Sequence, residues 1–308
     1  MRPLKIASRA SKLALIQSEY VRNLLVELYP DIEITIAKIS TTGDRDKSDF
    51  LYKTEAIGFF TSEVENAILN GKADIAVHSF KDLPTAVTDG LIVAAIPQRE
   101  SVADVLVASG QITSIADLPR GATIGTSSLR RIAQLHHLRD DLNCVPLRGN
   151  VETRVGRVAS GQIDAAIIAC AGLNRLGMED KISAILPPDE FIPAPAQGAL
   201  AVQIRDDDTE LEEIVSRLDD KCSRITAETE RVMLAAMHGG CSIPFGAYSK
   251  IHGDAITIYA MISDVEGKKY IQLSKTGSVD DAKIVAVKLA KELLEAGGKD
   301  ILDEIKNS

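Results

Sequence analysis

The apolar positions of the first two-thirds of the chain follow two alternating patterns. Short, continuous apolar runs read as buried strands at Leu4–Ala7, Ile32–Ile39, Asp74–Val77, Cys144–Leu147 and Ala165–Ala169. Between them, apolar residues spaced three and four apart read as amphipathic helices over Leu13–Leu28, Phe60–Leu69, Ser127–Leu138 and Val151–Ala159. Ser11 is placed to cap the first of these helices, and Pro30 follows its end. Residues 41–58 are polar and irregular and predict a mobile loop.

One stretch echoes another. Gly71-Lys72-Ala73-Asp74-Ile75-Ala76-Val77 parallels Gly161-Gln162-Ile163-Asp164-Ala165-Ala166-Ile167. In both, a glycine ends a helix, a polar turn follows and an apolar strand begins. Glycine suits that helix end because it lacks the Cβ that clashes in the left-handed conformation. Strand–helix alternation with short apolar strands predicts two α/β domains with largely parallel sheets. Ligands of such sheets gather at the carboxyl ends of the strands.

The last third has a different grammar. A helix over Ser223–Met237 precedes strand-like runs at Gly246–Ile251, Ala255–Ile262 and Lys269–Ser274, and a closing helix covers Asp280–Ala296. This order predicts a small α+β domain that begins near Asp219–Cys222.

Length and composition then bound the class. At 308 residues the chain exceeds a single core, so two or three domains are expected. Hydrophobic content of 45% and charged content of 26% suit a folded soluble protein. The start of the chain carries no apolar h-region, and no apolar run reaches roughly 18 residues, so a cytoplasmic protein without a membrane span is expected. Cys144, Cys170, Cys222 and Cys241 form no CxxC pair, and His78, His136, His137, His238 and His252 show no metal-ligand spacing. Thiols without a disulfide framework, and no metal site, are expected.

The net charge of −9 argues against a nucleic-acid binder. Yet residues 119–160 hold Arg120, Arg130, Arg131, Arg139, Arg148, Arg154 and Arg157 against only Asp140, Asp141 and Glu152. An anion site and a solvated helix face both fit that imbalance.

Four constellations could carry chemistry. Gly125-Thr126-Ser127-Ser128-Leu129-Arg130-Arg131 joins a strand to a helix, where free N–H groups, hydroxyls and guanidiniums can hold an anion. A serine cap with two exposed arginines fits the same residues. Arg148 and Arg154 flank the next strand-to-helix turn, while Arg9 and Arg175 stand after other strands. Asp82, in His78-Ser79-Phe80-Lys81-Asp82-Leu83-Pro84, follows a buried strand and could protonate a leaving group or hold a cation, or could simply cap a turn. Cys241, in Gly239-Gly240-Cys241-Ser242-Ile243-Pro244, could be a nucleophile or attachment point on a tight turn, or a small buried apolar residue. Cys144 and Cys170, in apolar strand contexts, fit the buried reading.

Taken in order, these segments resemble the porphobilinogen deaminase family, also called hydroxymethylbilane synthases. The resemblance rests on Arg9 with Ser11 and Gln17, Asp74–Pro84, Gly125–Arg131, Leu147–Asn150 with Arg154, Leu173–Gly177 with Arg175, Ala196–Gly198, and Gly239–Pro244. They run in family order across nearly the whole chain.

The resemblance implies an α/β fold: two type-II periplasmic-binding-protein-like domains and a small C-terminal α+β domain. The implied boundaries are 1–97 with 198–218, 98–197, and 219–308. It implies a transferase that joins four porphobilinogen molecules on a dipyrromethane primer bound to Cys241 by a thioether, then releases hydroxymethylbilane to tetrapyrrole and heme biosynthesis.

The same resemblance assigns the site. Asp82 would be catalytic. Ser79, Lys81, Asp82, Thr126, Ser127, Ser128, Arg130, Arg131 and Arg148 would hold the cofactor. Arg9, Ser11, Gln17, Arg148, Arg154, Arg175 and Gln197 would bind substrate. The implied partner is porphobilinogen alone, with no nucleic acid or membrane, and the expected state is a monomer. The chain departs from the family at Glu55-Ala56-Ile57-Gly58, where many relatives carry a lysine at the position of Ile57, with Lys53 nearby. Two other readings compete: a cytoplasmic anion receptor built on the same two lobes, and a thiol hydrolase using Cys241 with a histidine such as His78.

Overall fold

The protein is described by a computed structural model over residues 2–40, 61–237 and 243–307. The chain divides into two compact units, Met1–Glu100 with Gly198–Arg224, and Ser101–Gln197 with Ile225–Ser308.

The first unit is built on β1 (Leu4–Arg9), β2 (Ile34–Ile39), β3 (Ile75–Ser79), β4 (Leu91–Ala95) and β10 (Leu200–Arg205), in the order β2-β1-β3-β10-β4. β1 runs parallel to β2 and β3, whereas β10 is antiparallel to both of its neighbours, β3 and β4. Alternation along the strands sends side chains to opposite faces. Leu4, Ile6, Ile75 and Val77 meet Val21 and Leu25 of the helix Lys12–Leu28 on one face. Ala7 and Ala76 meet Val64 and Ile68 of the helix Ser62–Leu69 on the other. The Ser11 hydroxyl accepts a bond from Ala14 N at 3.3 Å, so it caps the first helix as its position predicts.

The second unit carries β5 (Asp104–Ala108), β6 (Thr123–Gly125), β7 (Asn143–Val145), β8 (Ala165–Ala169) and β9 (Ala184–Ile185), in the order β7-β6-β8-β5-β9. The directions repeat those of the first sheet. β6 is parallel to β7 and β8, and β5 is antiparallel to β8 and β9. Val105 and Val107 pack with Val155 and Val158, while Leu106 between them packs with Leu135 and Phe191.

The fold is thus α/β, with two five-stranded sheets that share one strand order and one pattern of directions. The sheets are largely parallel, as expected, with four of five strands running one way, and each adds one strand, β10 or β5, antiparallel to both neighbours. Two expectations change. Cys170 opens the helix Cys170–Leu176 rather than lying in a strand, and Cys144 is only partly buried.

The C-terminal segment is α+β. The helix Lys221–Ala236 leads to the antiparallel sheet β11 (Phe245–His252), β12 (Ala255–Ser263) and β13 (Tyr270–Ser278). Ile256, Ile258, Ala260 and Ile262, every second residue of β12, pack on Val285, Leu289 and Leu293 of the helix Ala282–Leu293. That helix does not close the chain. A wider turn with Gly297 at φ 114° leads into a further helix, Lys299–Lys306.

This segment packs on the second sheet's elements. Gly267, at φ 72°, sits against the helix Leu129–Leu138 so closely that a Cβ would lie 2.5 Å from Ala133 O. Beside it the His137 and Tyr270 rings stack at 3.9 Å. No helix among the described residues is long and apolar enough to cross a membrane.

Candidate functional site

In the first unit the sequence-predicted residues collect at the carboxyl ends of β1 and β3. Arg9 is the last residue of β1, and Ser79 the last of β3. A single 3-10 turn, Phe80–Asp82, follows. Phe80 and Leu83 are buried, and Phe80 N donates to Ala199 O at 3.0 Å, so the turn is gripped at both ends while Asp82 stays exposed. Lys81 is half-buried. Buried Gln17 donates from Nε2 to the Ser79 hydroxyl at 3.0 Å. The structure therefore brings Ser79 and Gln17 into contact and places Asp82 three residues away on the same turn.

Behind this turn lies a polar cluster that sequence reasoning did not find. His78 is buried, and burial pushes its pKa down to about 4 against the opposing pull of the Glu65 carboxylate; Arg9 pushes it the same way as burial. Glu65 accepts bonds from Gln203 Nε2 and Thr88 Oγ1, both at 3.0 Å. The imidazole is neutral at physiological pH, which suits a core residue better than the partner of a thiol nucleophile.

In the second unit the candidates follow the three parallel strands. Thr126 comes directly after β6, Arg148 follows β7, and the helix bearing Arg175 follows β8. Gly125 ends β6 where a Cβ would meet Ile163 Cδ1 at 2.6 Å, so only glycine fits without displacement. The Ser127 hydroxyl donates to Leu147 O at 3.1 Å and accepts from Leu147 N at 3.0 Å, tying the β6 and β7 loops together. Thr126 Oγ1 accepts from Ser128 N at 3.3 Å, and Ser128 stands at the helix N-terminus. Asn150 caps the next helix by accepting from Thr153 N at 2.8 Å, while Arg154 Nε donates to Gly149 O at 2.9 Å. Arg148 Nε is buried with no hydrogen-bond partner among the described residues.

Arg130 and Arg131 turn inward. Only 5% and 7% exposed, they converge on Asp104, which is fully buried at the head of β5. Arg131 donates to Asp104 Oδ1 from Nη2 at 2.6 Å and Nε at 3.2 Å, and Arg130 Nη2 lies 2.8 Å from Oδ2. Gln197 adds a bond from Nε2 to Oδ1 at 3.0 Å. Burial alone would raise this carboxyl's pKa; the two guanidiniums and the donated bonds hold it well below the usual carboxylate range. The picture of two exposed arginines in a first turn does not hold for this pair.

Asp104 was missed in the sequence. Its one signal is an acid heading the apolar run Val105-Leu106-Val107-Ala108, where a buried charge demands a cationic partner. A second buried acid, Glu230, accepts from Ala196 N at 2.7 Å and from Ser249 N at 2.9 Å. Ala196 sits at φ 58°, a conformation that costs a non-glycine residue roughly 1–2 kcal/mol. A charge-assisted bond contributing about 1.5–3 kcal/mol offsets that strain and fixes the neighbouring Gln197.

The turn bearing Cys241 and the loop bearing Lys53 and Ile57 lie outside the described residues. Cys144, partly buried, has its thiol pushed up to about 11 by burial, which removes it as a thiolate nucleophile.

Comparison with known proteins follows the same division of the chain. Residues 4–213 match the family model described as porphobilinogen deaminase, dipyromethane cofactor binding domain, and residues 224–295 match its C-terminal domain. A porphobilinogen deaminase of Maridesulfovibrio salexigens is 45% identical over 305 residues, covering 99% of both chains. One from Syntrophomonas wolfei is 42% identical over 306 residues, covering 99% of this chain and 100% of the relative. Another, from Pelotomaculum thermopropionicum, is 41% identical over 301 residues, 98% of this chain and 96% of the relative. With this agreement over its full length, the chain belongs to the porphobilinogen deaminase family.

Proposed function

We propose that the chain condenses four porphobilinogen molecules on a covalently held dipyrromethane and releases hydroxymethylbilane, with the roles that follow. When bound, the dipyrromethane supplies a pyrrole α-carbon as the starting nucleophile. Every pyrrole unit bears an acetate and a propionate, so the site must hold many carboxylates at once. Arginine suits this task because it stays charged and donates in a planar fork.

Arg148, Arg154 and Arg175, at or after the ends of parallel strands in the second unit, are the donors we assign to these carboxylates, with Arg9 in the first. The buried, unpartnered Arg148 Nε is the observation that most supports an anionic ligand. Thr126, Ser127, Ser128, Ser79 and Lys81 are assigned to the cofactor, together with Arg130 and Arg131. Ser11, Gln17 and Gln197 are assigned to substrate, although in the structure Ser11 caps a helix, Gln17 bonds Ser79, and Gln197 bonds Asp104. Cys241 is assigned as the thioether attachment point.

Asp82 is assigned the chemistry. As the aminomethyl C–N bond of porphobilinogen breaks, ammonia leaves and an electron-poor azafulvenium carbon forms. A carboxylate on an exposed, anchored turn can assist departure of the amine and then hold the cation and pyrrole N–H groups. We further assign the three domains named above and a cytoplasmic monomer. An anion receptor would also hold carboxylates, but the full-length family match favours the enzyme.

The test is catalytic. Incubation with porphobilinogen should release one ammonia per molecule consumed and yield a linear tetrapyrrole. Asp82→Asn should lower turnover by at least about a hundredfold, the lower end of the general acid–base contribution, while leaving cofactor attachment near normal. Binding without ammonia release would favour the receptor, and near-normal turnover in Asp82→Asn would remove its role.

A further inference from the structure

We propose that Asp104 is a positioning residue for the reaction: a buried counter-ion that aims Arg130 and Arg131 and leaves the cluster with one positive charge to offer a carboxylate of the anchored pyrrole chain. The inference rests on the functional reading above and extends it to a residue outside the assigned site.

The geometry carries it. Asp104 has no exposure, and its strand neighbours are Val105, Leu106 and Val107. A carboxylate there is tolerated only if paired and hydrogen-bonded. It receives two guanidiniums, with Arg131 bonding through both Nε and Nη2, plus the Gln197 amide. The second ends of the two arginines are tied as well. Arg131 Nη1 donates to Ile167 O at 2.9 Å, and Arg130 Nη1 donates to Ile192 O at 2.7 Å. Gln134, one helical turn on, clasps the same Ile192 through both its amide atoms, at 2.7 and 3.0 Å. Neither guanidinium can rotate without breaking several of these bonds.

The charge count gives the cluster its use. Two guanidiniums meet one carboxylate, and among the described residues no other acid pairs with either. Each guanidinium has five N–H donors, so both keep hydrogens beyond the bonds named here. A purely structural pair would need one arginine for one aspartate. A second arginine, buried beside the first, raises electrostatic cost and is repaid when an anion arrives. Fixed donors with one surplus charge bind a carboxylate without reorganising, which is where preorganisation adds affinity.

The test compares the wild-type holoenzyme with Asp104→Glu and Asp104→Asn. The first keeps the charge but lengthens the side chain by one methylene; the second removes the charge. Intact mass first establishes that each protein carries two linked pyrroles. If the wild type lacks them, the functional reading fails and not this one. KM for porphobilinogen should rise in the order wild type, Glu, Asn, at least about threefold and then at least about tenfold, with kcat within about threefold. Glu variant protein with wild-type KM overturns the proposal, whether or not the Asn variant folds. So does a fall in Tm in either variant with KM unmoved, since that is what a merely structural carboxylate would give.

Discussion

His78 shows at the scale of one residue how burial becomes a pH dependence. Its folded pKa lies near 4, against an ordinary value of 6.5. The unfolded chain therefore takes up a proton between those values when the folded chain does not. Stability from this group is complete above pH 6.5 and is lost as pH falls toward 4, by on the order of 3 kcal/mol. Urea unfolding across that window should show an acid limb that is reduced by that amount in His78→Gln; an unchanged limb would contradict the assignment of the titration to His78. The same residue marks the boundary of sequence reasoning. The buried strand leading to it was legible from the apolar run Ile75–Val77, but the strand runs on through His78 to Ser79 rather than ending before it. The partners of His78, Glu65 and Gln203, were not legible, because they arrive from a separate helix and from a strand more than a hundred residues later. Asp104 was hidden for the same reason: local pattern announces a buried acid only as an irregularity, while its cations come from another element.

Elements were more legible than contacts. Helices with a strong apolar period, such as Lys12–Leu28 and Ala282–Leu293, lie within one or two residues of the expected bounds at most of their ends. The two-residue β9, the strands β4 and β5, and the antiparallel β10 went unread, since a run of apolar residues does not state the direction in which it will pair. Nor did pattern reveal that the β12–β13 turn docks on the arginine-bearing helix. That contact has a clear test. Gly267→Ala puts a methyl 2.5 Å from Ala133 O and 2.6 Å from His137 N, at a φ of 72° that alanine resists. It should destabilise the protein by more than about 2 kcal/mol in urea unfolding. A change below about 0.5 kcal/mol would mean that the turn does not pack there in solution.

At the scale of the molecule, two sheets of identical order and direction are what the echo between Gly71–Val77 and Gly161–Ile167 foreshadowed: in each, the echoed run leads into the strand that lies at the centre of its sheet, β3 or β8. The sheets bring the assigned residues to strand ends, one group around Asp82 and another around Arg148 and Thr126. The surplus of arginine in residues 119–160 also resolves into distinct tasks. Arg139 braces a loop by bonding Asp141 and Leu118 O, Arg130 and Arg131 surround Asp104, and Arg148 retains a buried donor without a partner among the described residues. Composition reported the excess without separating structural from ligand-binding members.

The proposed chemistry depends most on a covalently anchored pyrrole pair, and intact mass spectrometry of freshly purified protein reads it directly. The wild-type chain should weigh more than its polypeptide by two linked pyrroles, and Cys241→Ala should weigh only the polypeptide. A bare polypeptide mass for the wild type, or an adduct that persists in Cys241→Ala, would contradict it.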